Sequence, residues 1–388
     1  MLGWEFPPFN VGGLGVVCYY LTKYLTKYGN KIILILPRGI GSKKNIKNPN
    51  ISNLEIKYVT SFLLPYETKK DEDTEVNLYK RNIFEEVKKY KEEVKKILET
   101  EKINFDLIHA HDWMTFEAGI EAKKISGKPL IVHVHSTEFD RTGGNYINQK
   151  IYEIEKKGME EADLIITVSN FTKNKIIEKY GINEKKIRVL HNAIDLEDYE
   201  KKIKIRKRDN VVLFLGRMVL QKGPDYFLYA IKKALEHKPD IIPVMAGTGD
   251  MLPSMIEKAA ELGIADKIIF TGFLSEEDVH KLYQVADLYV MPSVSEPFGI
   301  TTLEALANGT PVLISKQSGV SELLNHCLKV DFWDVNEMAN KILAVLHYNA
   351  LKESLRENGV KEIRKFSWEK QTERCLNIYN EVLRGRKW

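Results

Sequence analysis

The segment ADLYVMPSVSEPFGITTLEALANGTPVLIS, residues 286–315, decides the fold. Its pattern predicts a buried strand, a loop, a short helix that ends at Asn308-Gly309, and a second strand. The helix therefore begins at the carboxyl edge of a parallel sheet, which is where open α/β sheets bind ligands. Thr301 or Thr302 can cap the helix start with a side-chain oxygen.

The same alternation of apolar runs and helical stretches extends along the whole chain. Apolar runs begin at residues 31, 54, 105, 129, 162 and 187, and a second series begins at 210, 240, 266, 286, 310 and 327. Strands alternating with helices form parallel sheets that are covered on both faces. We therefore expect an α/β protein with two Rossmann-like, doubly wound domains.

Composition suggests the domain boundaries. We expect an N-terminal domain at 1–196, a charged linker at 197–209, a C-terminal domain at 210–365, and a helix at 366–388 that packs back toward the N-terminal domain. Few residues precede the first glycine-rich loop, so the first strand is expected to be truncated.

Charge and cysteine content exclude several classes of protein. A net charge of +4 on 388 residues is too small to indicate a nucleic-acid partner. The three cysteines have no repeating spacing, which fits neither a disulfide framework nor a thiolate metal site and predicts a cytoplasmic protein. The sequence lacks a run of about 20 apolar residues, which leaves only peripheral membrane contact open.

A glycine-rich loop, NVGGLG, precedes the first predicted helix. Gly12, Gly13 and Gly15 allow a close approach of an anionic group to backbone amides at the helix start. The alternative is a tight strand-to-helix turn without a ligand. The spacing differs from the dinucleotide fingerprint, which disfavours a nicotinamide cofactor.

Four histidines lie on two predicted strands. His109 and His111 share one strand face, as do His133 and His135, so four imidazoles could converge on a metal. The alternative is a set of core histidines, and it is favoured because no cysteine or glutamate nearby completes a ligand set. His135 follows the end of its strand, which makes it the functional candidate.

In the second half, two cations and a glycine turn follow predicted strands. Arg217 and Lys222 suit a diphosphate, and Gly247 could let a flat base approach the backbone. Glu296 lies in the loop before the short helix and Glu304 lies about one turn into it. Because carboxylates accept hydrogen bonds from hydroxyls, these groups together fit a nucleotide-sugar.

Several motifs resemble the retaining glycosyltransferases of the GT-B fold, in particular the fourth glycosyltransferase family, to which glycogen and starch synthases are related. They are VGGLG, HAHDW, HVHSTEF, TVSNFTK, VLHNAID, LGRMVLQKG, GTGDM and the segment at 271–312. The resemblance covers nearly the whole chain. It implies two Rossmann-like domains that face a central cleft, and a metal-independent hexosyl transfer from a donor such as a UDP-sugar or ADP-glucose, without a cofactor.

The resemblance also implies roles for individual residues. His135, Glu296, Arg217 and Lys222 would be catalytic. The donor would be bound by Gly12, Gly13, Gly15, Arg217, Lys222, Gly247, Glu296, Phe298, Gly299, Ile300, Thr301 and Glu304.

The acceptor stays open, since a carbohydrate, a lipid or a glycan fits the same motifs. Asn10 stands where the glycine loop of glycogen and starch synthases generally carries lysine, which disfavours α-1,4-glucan extension. Two other functional classes are a glycoside hydrolase that uses Glu296 and Glu304, and an inactive sugar-nucleotide-binding protein.

Overall fold

The structure, a computed structural model, describes residues 1–7, 12–37, 51–61, 63, 82–199 and 209–385. The chain forms two compact units. The first comprises Met1–Glu138, Ile147–Asn192 and Trp368–Trp388, and the second comprises Phe139–Tyr146 and Ala193–Ser367. Most of the expected linker, like Asn10, lies outside the described residues.

The first unit is built on parallel strands. Its helices and strands are α1 (Gly13–Lys27), β1 (Ile32–Pro37), β2 (Leu54–Val59), α2 (Ile83–Thr100), β3 (Ile108–His111), α3 (Trp113–Ser126), β4 (Leu130–Val134), α4 (Glu138–Arg141, which extends into the second unit), α5 (Gln149–Glu161), β5 (Leu164–Thr167), α6 (Asn170–Tyr180) and β6 (Ile187–Val189). The strands pair in the orders β1-β2 and β3-β4-β5-β6, and every pair is parallel.

The first residues of the chain join these two groups of strands. Leu2 forms parallel bridges to Ile35 of β1 and Ala110 of β3. Its amide donates to the His109 carbonyl at 2.8 Å, and its carbonyl accepts from the His111 amide at 3.0 Å. The short segment that the sequence suggested as a first strand thus lies between β1 and β3. The order of the strands reverses there, and a ligand crevice is expected at such a point.

Helix α2 buries its apolar side within the first unit. Val87, Tyr90 and Val94 are almost fully buried, and the Tyr90 hydroxyl donates to the carbonyls of Gly3 at 3.1 Å and Ile35 at 2.8 Å. These residues are therefore not exposed for insertion into a membrane surface. Among the helices that the structure describes, none has both the length and the apolar character needed to cross a bilayer.

The last helix, α13 (Trp368–Leu383), packs within the first unit. Trp368 stacks on Tyr20 of α1, with ring centroids 5.6 Å apart. Arg188 donates from Nε to Glu381 at 3.0 Å. Trp368, Cys375, Ile378 and Val382, which recur at helical spacing, are buried.

The second unit contains one six-stranded sheet. Its elements are β7 (Val211–Leu215), α7 (Pro224–His237), β8 (Ile242–Ala246), α8 (Leu252–Glu261), β9 (Ile269–Gly272), α9 (Glu276–Val285), β10 (Leu288–Met291), α10 (Ile300–Ala307), β11 (Val312–Ser315), β12 (Leu328–Val330), α11 (Val335–His347) and α12 (Asn349–Ile363). The strand order is β12-β11-β10-β7-β8-β9, all parallel. Apolar strand residues such as Val212, Met245 and Val290 belong to one buried cluster with the helices.

The topology of this sheet identifies where a ligand would bind. From β7 the chain winds through β8 to β9 and then returns to place β10 against the other side of β7. The loops after β7 and β10 therefore leave the sheet in opposite directions, which opens a crevice at its carboxyl edge. The α/β class and the two parallel-sheet domains predicted from sequence are confirmed.

Candidate functional site

The candidate site in the second unit lies at this carboxyl edge, in the loops after β7, β8 and β10. Arg217, which is half-buried, follows β7 by two residues, and Lys222 lies a few residues later. Gly247 directly follows β8. Glu296 lies in the loop between β10 and α10. The fold thus brings to one sheet edge four of the residues that sequence reasoning assigned to the donor, whereas Gly12, Gly13 and Gly15 lie in the first unit.

The loop after β10 is fixed by backbone hydrogen bonds on two sides. The Glu296 amide donates to the Gln317 carbonyl and the Glu296 carbonyl accepts from the Gly319 amide, each at 2.9 Å. The Val294 amide donates to the Gln221 carbonyl at 2.9 Å. These bonds fix the backbone that carries the side chain of Glu296.

Lys222 and Glu296 form an ion pair in this loop cluster. The Lys222 Nζ atom lies 2.5 Å from Oε2 of Glu296, and Ser293 Oγ donates to the same oxygen at 3.2 Å. The Glu296 side chain is 9% exposed, whereas that of Lys222 is 25% exposed. Part of the lysine side chain therefore stays exposed while its ammonium group neutralises a nearly buried carboxylate.

Helix α10 begins differently from the sequence-based expectation. Its N-cap residue is Gly299 at φ 108°, and it has no side-chain cap. Thr301 instead accepts a hydrogen bond from Tyr289 at 2.9 Å, and Thr302 Oγ1 lies 3.4 Å from the Met291 sulfur. The prediction of a threonine cap was wrong because these hydroxyls point toward β10. The first backbone N–H groups of a helix have no acceptor within it, so this uncapped end suits an anion.

Around the helix start, Phe298 is buried and its carbonyl accepts from the Val320 amide at 2.7 Å. A Cβ atom added at Gly299 would lie 3.1 Å from the methyl carbon of Met291. The backbone angle therefore favours glycine here, and an added Cβ atom would also require a small shift of the Met291 side chain.

Glu304 is held by a tyrosine from α9. Tyr283 donates from its hydroxyl to Glu304 Oε2 at 3.2 Å and lies equally near the Thr301 carbonyl, at 3.1 Å. Burial raises the pKa of the Glu304 carboxyl to about 7, although the bond from Tyr283 opposes the shift. A carboxylate that costs energy to keep charged gains from hydroxyl donors on a ligand.

A neighbouring backbone segment leaves no space for a side chain at Gly247. It has φ 125°, and a Cβ atom there would lie 2.0 Å from the carbonyl oxygen of Gly216. The Gly216 amide in turn donates to the Ala246 carbonyl at 3.0 Å. The close approach that the glycine turn suggested is therefore already made by the loop after β7.

In the first unit, the structure brings all four histidines together on adjacent strands. His109 Nε2 lies 3.3 Å from His133 Nδ1, and His111 Nδ1 lies 2.9 Å from His135 Nε2. The two pairs are stacked, with ring centroids 4.3 Å apart between His109 and His111 and 4.1 Å apart between His133 and His135. Tyr379 of α13 closes one end through a 2.6 Å contact with His109 Nδ1.

Three of the four histidines bring ring nitrogens close together, but their rings are stacked. Nitrogens of His109, His111 and His133 lie within 4.8 Å of one another. A nitrogen lone pair lies in the plane of its ring, however, and His109 and His111 lie in different, stacked layers. A shared metal would require rotated rings and broken hydrogen bonds between them. The geometry favours a hydrogen-bonded cluster of neutral imidazoles, and burial accordingly lowers the pKa of each of the four.

Comparison with known proteins follows the same division of the chain. Residues 11–198 match the family described as Glycosyltransferase Family 4, and residues 195–362 match the family described as Glycosyl transferases group 1. An uncharacterised glycosyltransferase of Methanocaldococcus jannaschii is 31% identical over 98% of this chain and 97% of its own length. The chain belongs to these glycosyltransferases.

Two further similarities are more distant. A glycogen synthase of Mycobacterium tuberculosis is 25% identical over 83% of this chain and 78% of its own length. The solved structure of sucrose-phosphate synthase from Thermosynechococcus elongatus has a TM-score of 0.81 and 19% identity, and the match covers 99% of this chain and 98% of that one. The latter supports the GT-B fold of this glycosyltransferase.

The glycine loop of the glycosyltransferase differs from the expected anion site in one respect. The Gly15 amide donates to Oε2 of Glu5 at 3.1 Å, and Glu5 is buried. The Gly15 amide of α1 is thus already bonded to a protein carboxylate, whereas Gly12 and Gly13 are exposed. Glu5 is the single acidic residue before the glycine loop, and sequence reasoning passed over this signal.

Sequence reasoning also missed Asp112 of the glycosyltransferase. This residue follows β3 at φ 57° and ψ 169°, which is unusual for a residue with a side chain. Its Oδ1 accepts from the amides of His135 at 2.7 Å and Ser136 at 3.4 Å. The HDW triplet was the available signal, but the left-handed backbone could not be deduced from it.

Proposed function

We propose that the protein transfers a hexose from a nucleoside-diphosphate sugar to an acceptor hydroxyl, with retention of the anomeric configuration and formation of an α-glycosidic bond. The observation that carries this proposal is the meeting of Lys222, Glu296 and the uncapped start of α10 at one sheet edge. Cation, helix end and carboxylate are the three groups that a diphosphate joined to a sugar needs.

The donor-binding roles follow from this chemistry. Arg217, Lys222 and the amides of Ile300 and Thr301 would hold the diphosphate, since guanidinium, ammonium and helix N-termini all attract phosphate oxygens. Glu304 would accept hydrogen bonds from the ribose hydroxyls, and its raised pKa favours such donors.

The transferred sugar would contact the loop after β10. Glu296 would accept hydrogen bonds from sugar hydroxyls, and backbone groups of Phe298 and Gly299 would contact the same sugar. His135, half-buried at the end of β4, would donate a hydrogen bond to the same sugar. Gly12 and Gly13 are proposed to approach the diphosphate.

The reaction breaks the bond from the anomeric carbon to the diphosphate and forms a bond from that carbon to the acceptor oxygen. Negative charge grows on the departing diphosphate, and fixed cations and helix amides stabilise it most strongly in the transition state. The acceptor proton passes to the departing phosphate oxygen on the same face. Basic side chains and a helix end perform the neutralisation, so the transfer is proposed to need no metal or cofactor.

The experiment is a binding and transfer screen. Thermal shift against uridine, adenosine and guanosine diphosphate sugars identifies the donor, because a ligand that binds only the folded state raises the melting temperature. Transfer with that donor to carbohydrate, lipid and glycan acceptors is then followed with and without a chelator, and the anomeric configuration of the product is read by NMR. No shift and no transfer with any donor would refute the proposal, and loss of transfer on chelation would refute its metal independence.

A second candidate is α-1,4-glucan extension, which the similarity to a glycogen synthase favours. Extension of a glucan primer from ADP-glucose or UDP-glucose would support it. A hydrolase is disfavoured because Glu296 is paired with Lys222 and Glu304 is held by Tyr283, so neither is placed as a free acid or nucleophile. Turnover of nitrophenyl glycosides without any nucleotide-sugar would support the hydrolase, and donor binding without transfer would indicate an inactive binding protein.

A further inference from the structure

The junction of β3 and α3 supports His135 from two directions. His111, the last residue of β3, contacts the His135 ring through nitrogens 2.9 Å apart. Asp112, the next residue, accepts hydrogen bonds from the backbone amides of His135 and Ser136. One short segment therefore holds both the ring and the main chain of a residue at the end of the neighbouring strand.

The conformation of Asp112 indicates that this contact is maintained against strain. A residue with a side chain at φ 57° and ψ 169° occupies a region that is essentially reserved for glycine. The neighbouring bonds fix it there: the Asp112 amide donates to the His133 carbonyl at 2.9 Å, and Thr115 Oγ1 donates to the His111 carbonyl at the same distance. Such strain is concentrated where a fold imposes geometry on a functional group.

The hydrogen-bond partners indicate which nitrogen of each ring carries the proton. His111 Nε2 is fully buried and has no partner among the described residues. A buried N–H without an acceptor is rarer than a buried acceptor without a donor, so the proton of His111 belongs on Nδ1. His111 then donates to His135 Nε2. A neutral His135 must in consequence carry its own proton on Nδ1, which has no hydrogen bond to a described residue.

We propose that His111 and Asp112 are positioning residues that hold His135 as a neutral imidazole with its proton on Nδ1, ready to donate to the transferred sugar. His111 sets the tautomer through Nε2 of His135, and Asp112 fixes the backbone that carries the ring. The role of the sugar as hydrogen-bond acceptor rests on the proposed function. The tautomer of His135 and the contacts that hold it do not depend on that function.

The tautomer is measured first, in the protein without ligand. Nitrogen-15 NMR of labelled histidine distinguishes protonated from unprotonated ring nitrogens. The wild type should show His135 with a protonated Nδ1, and His111→Leu, which removes the donor, should shift His135 toward the other tautomer. His111→Asn places an amide N–H near the position of Nδ1 and should restore the wild-type signal. An unchanged His135 signal in His111→Leu overturns the proposal, whatever the outcome of transfer assays.

Kinetics then test the link to transfer. We expect His111→Leu to lower kcat about tenfold with an unchanged KM for the donor, as loss of one hydrogen bond allows. His111→Asn should recover most of kcat. In a His135→Ala background, His111→Leu should add no further loss, because both changes remove the same interaction. Full additivity in that background would overturn the proposal.

Asp112 provides an independent test that does not depend on the histidine ring. Asp112→Gly relieves the backbone strain but removes the acceptor, so the protein should keep its melting temperature while kcat falls. Asp112→Asn retains an oxygen acceptor and should stay close to wild type in kcat. A wild-type kcat in Asp112→Gly would remove Asp112 from the proposal. Stoichiometric zinc or another transition metal in the purified protein would overturn the neutral hydrogen-bonded pair as a whole.

Discussion

Lys222 Nζ lies 2.5 Å from Oε2 of Glu296, so the cation expected to bind phosphate is paired with the carboxylate expected to bind sugar. When the donor binds, Lys222 must interact with both the diphosphate and Glu296. Loss of Lys222 and loss of Glu296 should therefore have opposite effects on the affinity for the diphosphate.

Replacing Lys222 by alanine should weaken donor binding about tenfold and lower kcat further, because a charge-assisted contact to the diphosphate is lost and Glu296 is left unpaired. Replacing Glu296 by glutamine should leave the affinity for the free nucleoside diphosphate equal or stronger, while transfer falls. Isothermal titration and initial rates measure both. Lys238→Ala is the control, since Lys238 pairs with Asp240 at 3.1 Å within the same unit. Unchanged binding and kcat in Lys222→Ala would remove this lysine from the site.

Glu304 predicts a pH-dependent affinity for the donor. Its pKa of about 7 means that the acceptor form predominates above pH 7 and is lost as the pH falls below it. Affinity should fall by up to about tenfold between pH 8 and pH 6, following the ionised fraction. A nucleoside-diphosphate sugar is the suitable ligand, because its phosphates do not titrate in this range. The Glu304→Gln variant should bind more weakly at pH 8 and show no such slope, and an equal slope in both proteins would contradict the assignment.

The sequence predicted the alternation of strands and helices correctly because it depends on local apolar runs, such as those that became β7 and β10. It also placed Glu296 in the loop before α10 and Glu304 within that helix, since a helix start after a parallel strand has one position in such a fold. The threonine cap failed because the partner of Thr301 is Tyr289, on the preceding strand. The ion pair of Lys222 depends equally on contacts between distant residues.

The segment Phe139–Tyr146 is a second example of what local pattern does not reveal. Ser295 donates to Asp140 Oδ1 at 2.6 Å, so a short segment from the first half of the chain belongs to the second unit. A polar contact across 155 positions leaves no periodic signal in the sequence. Both residues are buried, and their pairing emerges only from the tertiary structure.

Gly247 predicts a steric rather than a purely conformational requirement. Gly247→Ala should lower the free energy of unfolding by more than about 3 kcal/mol, because its Cβ would lie 2.0 Å from the Gly216 carbonyl oxygen. Gly263→Ala is the matched control, since Gly263 also has a positive φ of 67° but has no atom within 4 Å of the added carbon. It should cost only about 1 to 2 kcal/mol. Urea denaturation compares them, and equal losses would show that backbone angle alone explains this glycine.

The buried histidines predict that the protein loses stability as the pH falls below about 6.5. Burial lowers the pKa of His109, His111 and His133 well below its ordinary value, and lowers that of His135 to about 3. Below about pH 6.5 these histidines are protonated in the unfolded chain but stay neutral in the folded protein. Each histidine therefore lowers the free energy of unfolding by up to about 1.4 kcal/mol per pH unit. The raised pKa of Glu304 has the opposite effect on stability as the pH falls, but it offsets only one of the four histidines.

Urea denaturation at pH 7.5, 6.5 and 5.5, followed by tryptophan fluorescence, measures this slope. His135→Asn removes one of the four groups at the edge of the cluster and should make the slope shallower by about one proton. A stability that stays constant between pH 6.5 and pH 5.5 would mean that the four rings accept protons in the folded protein, and the neutral hydrogen-bonded cluster would then be wrong.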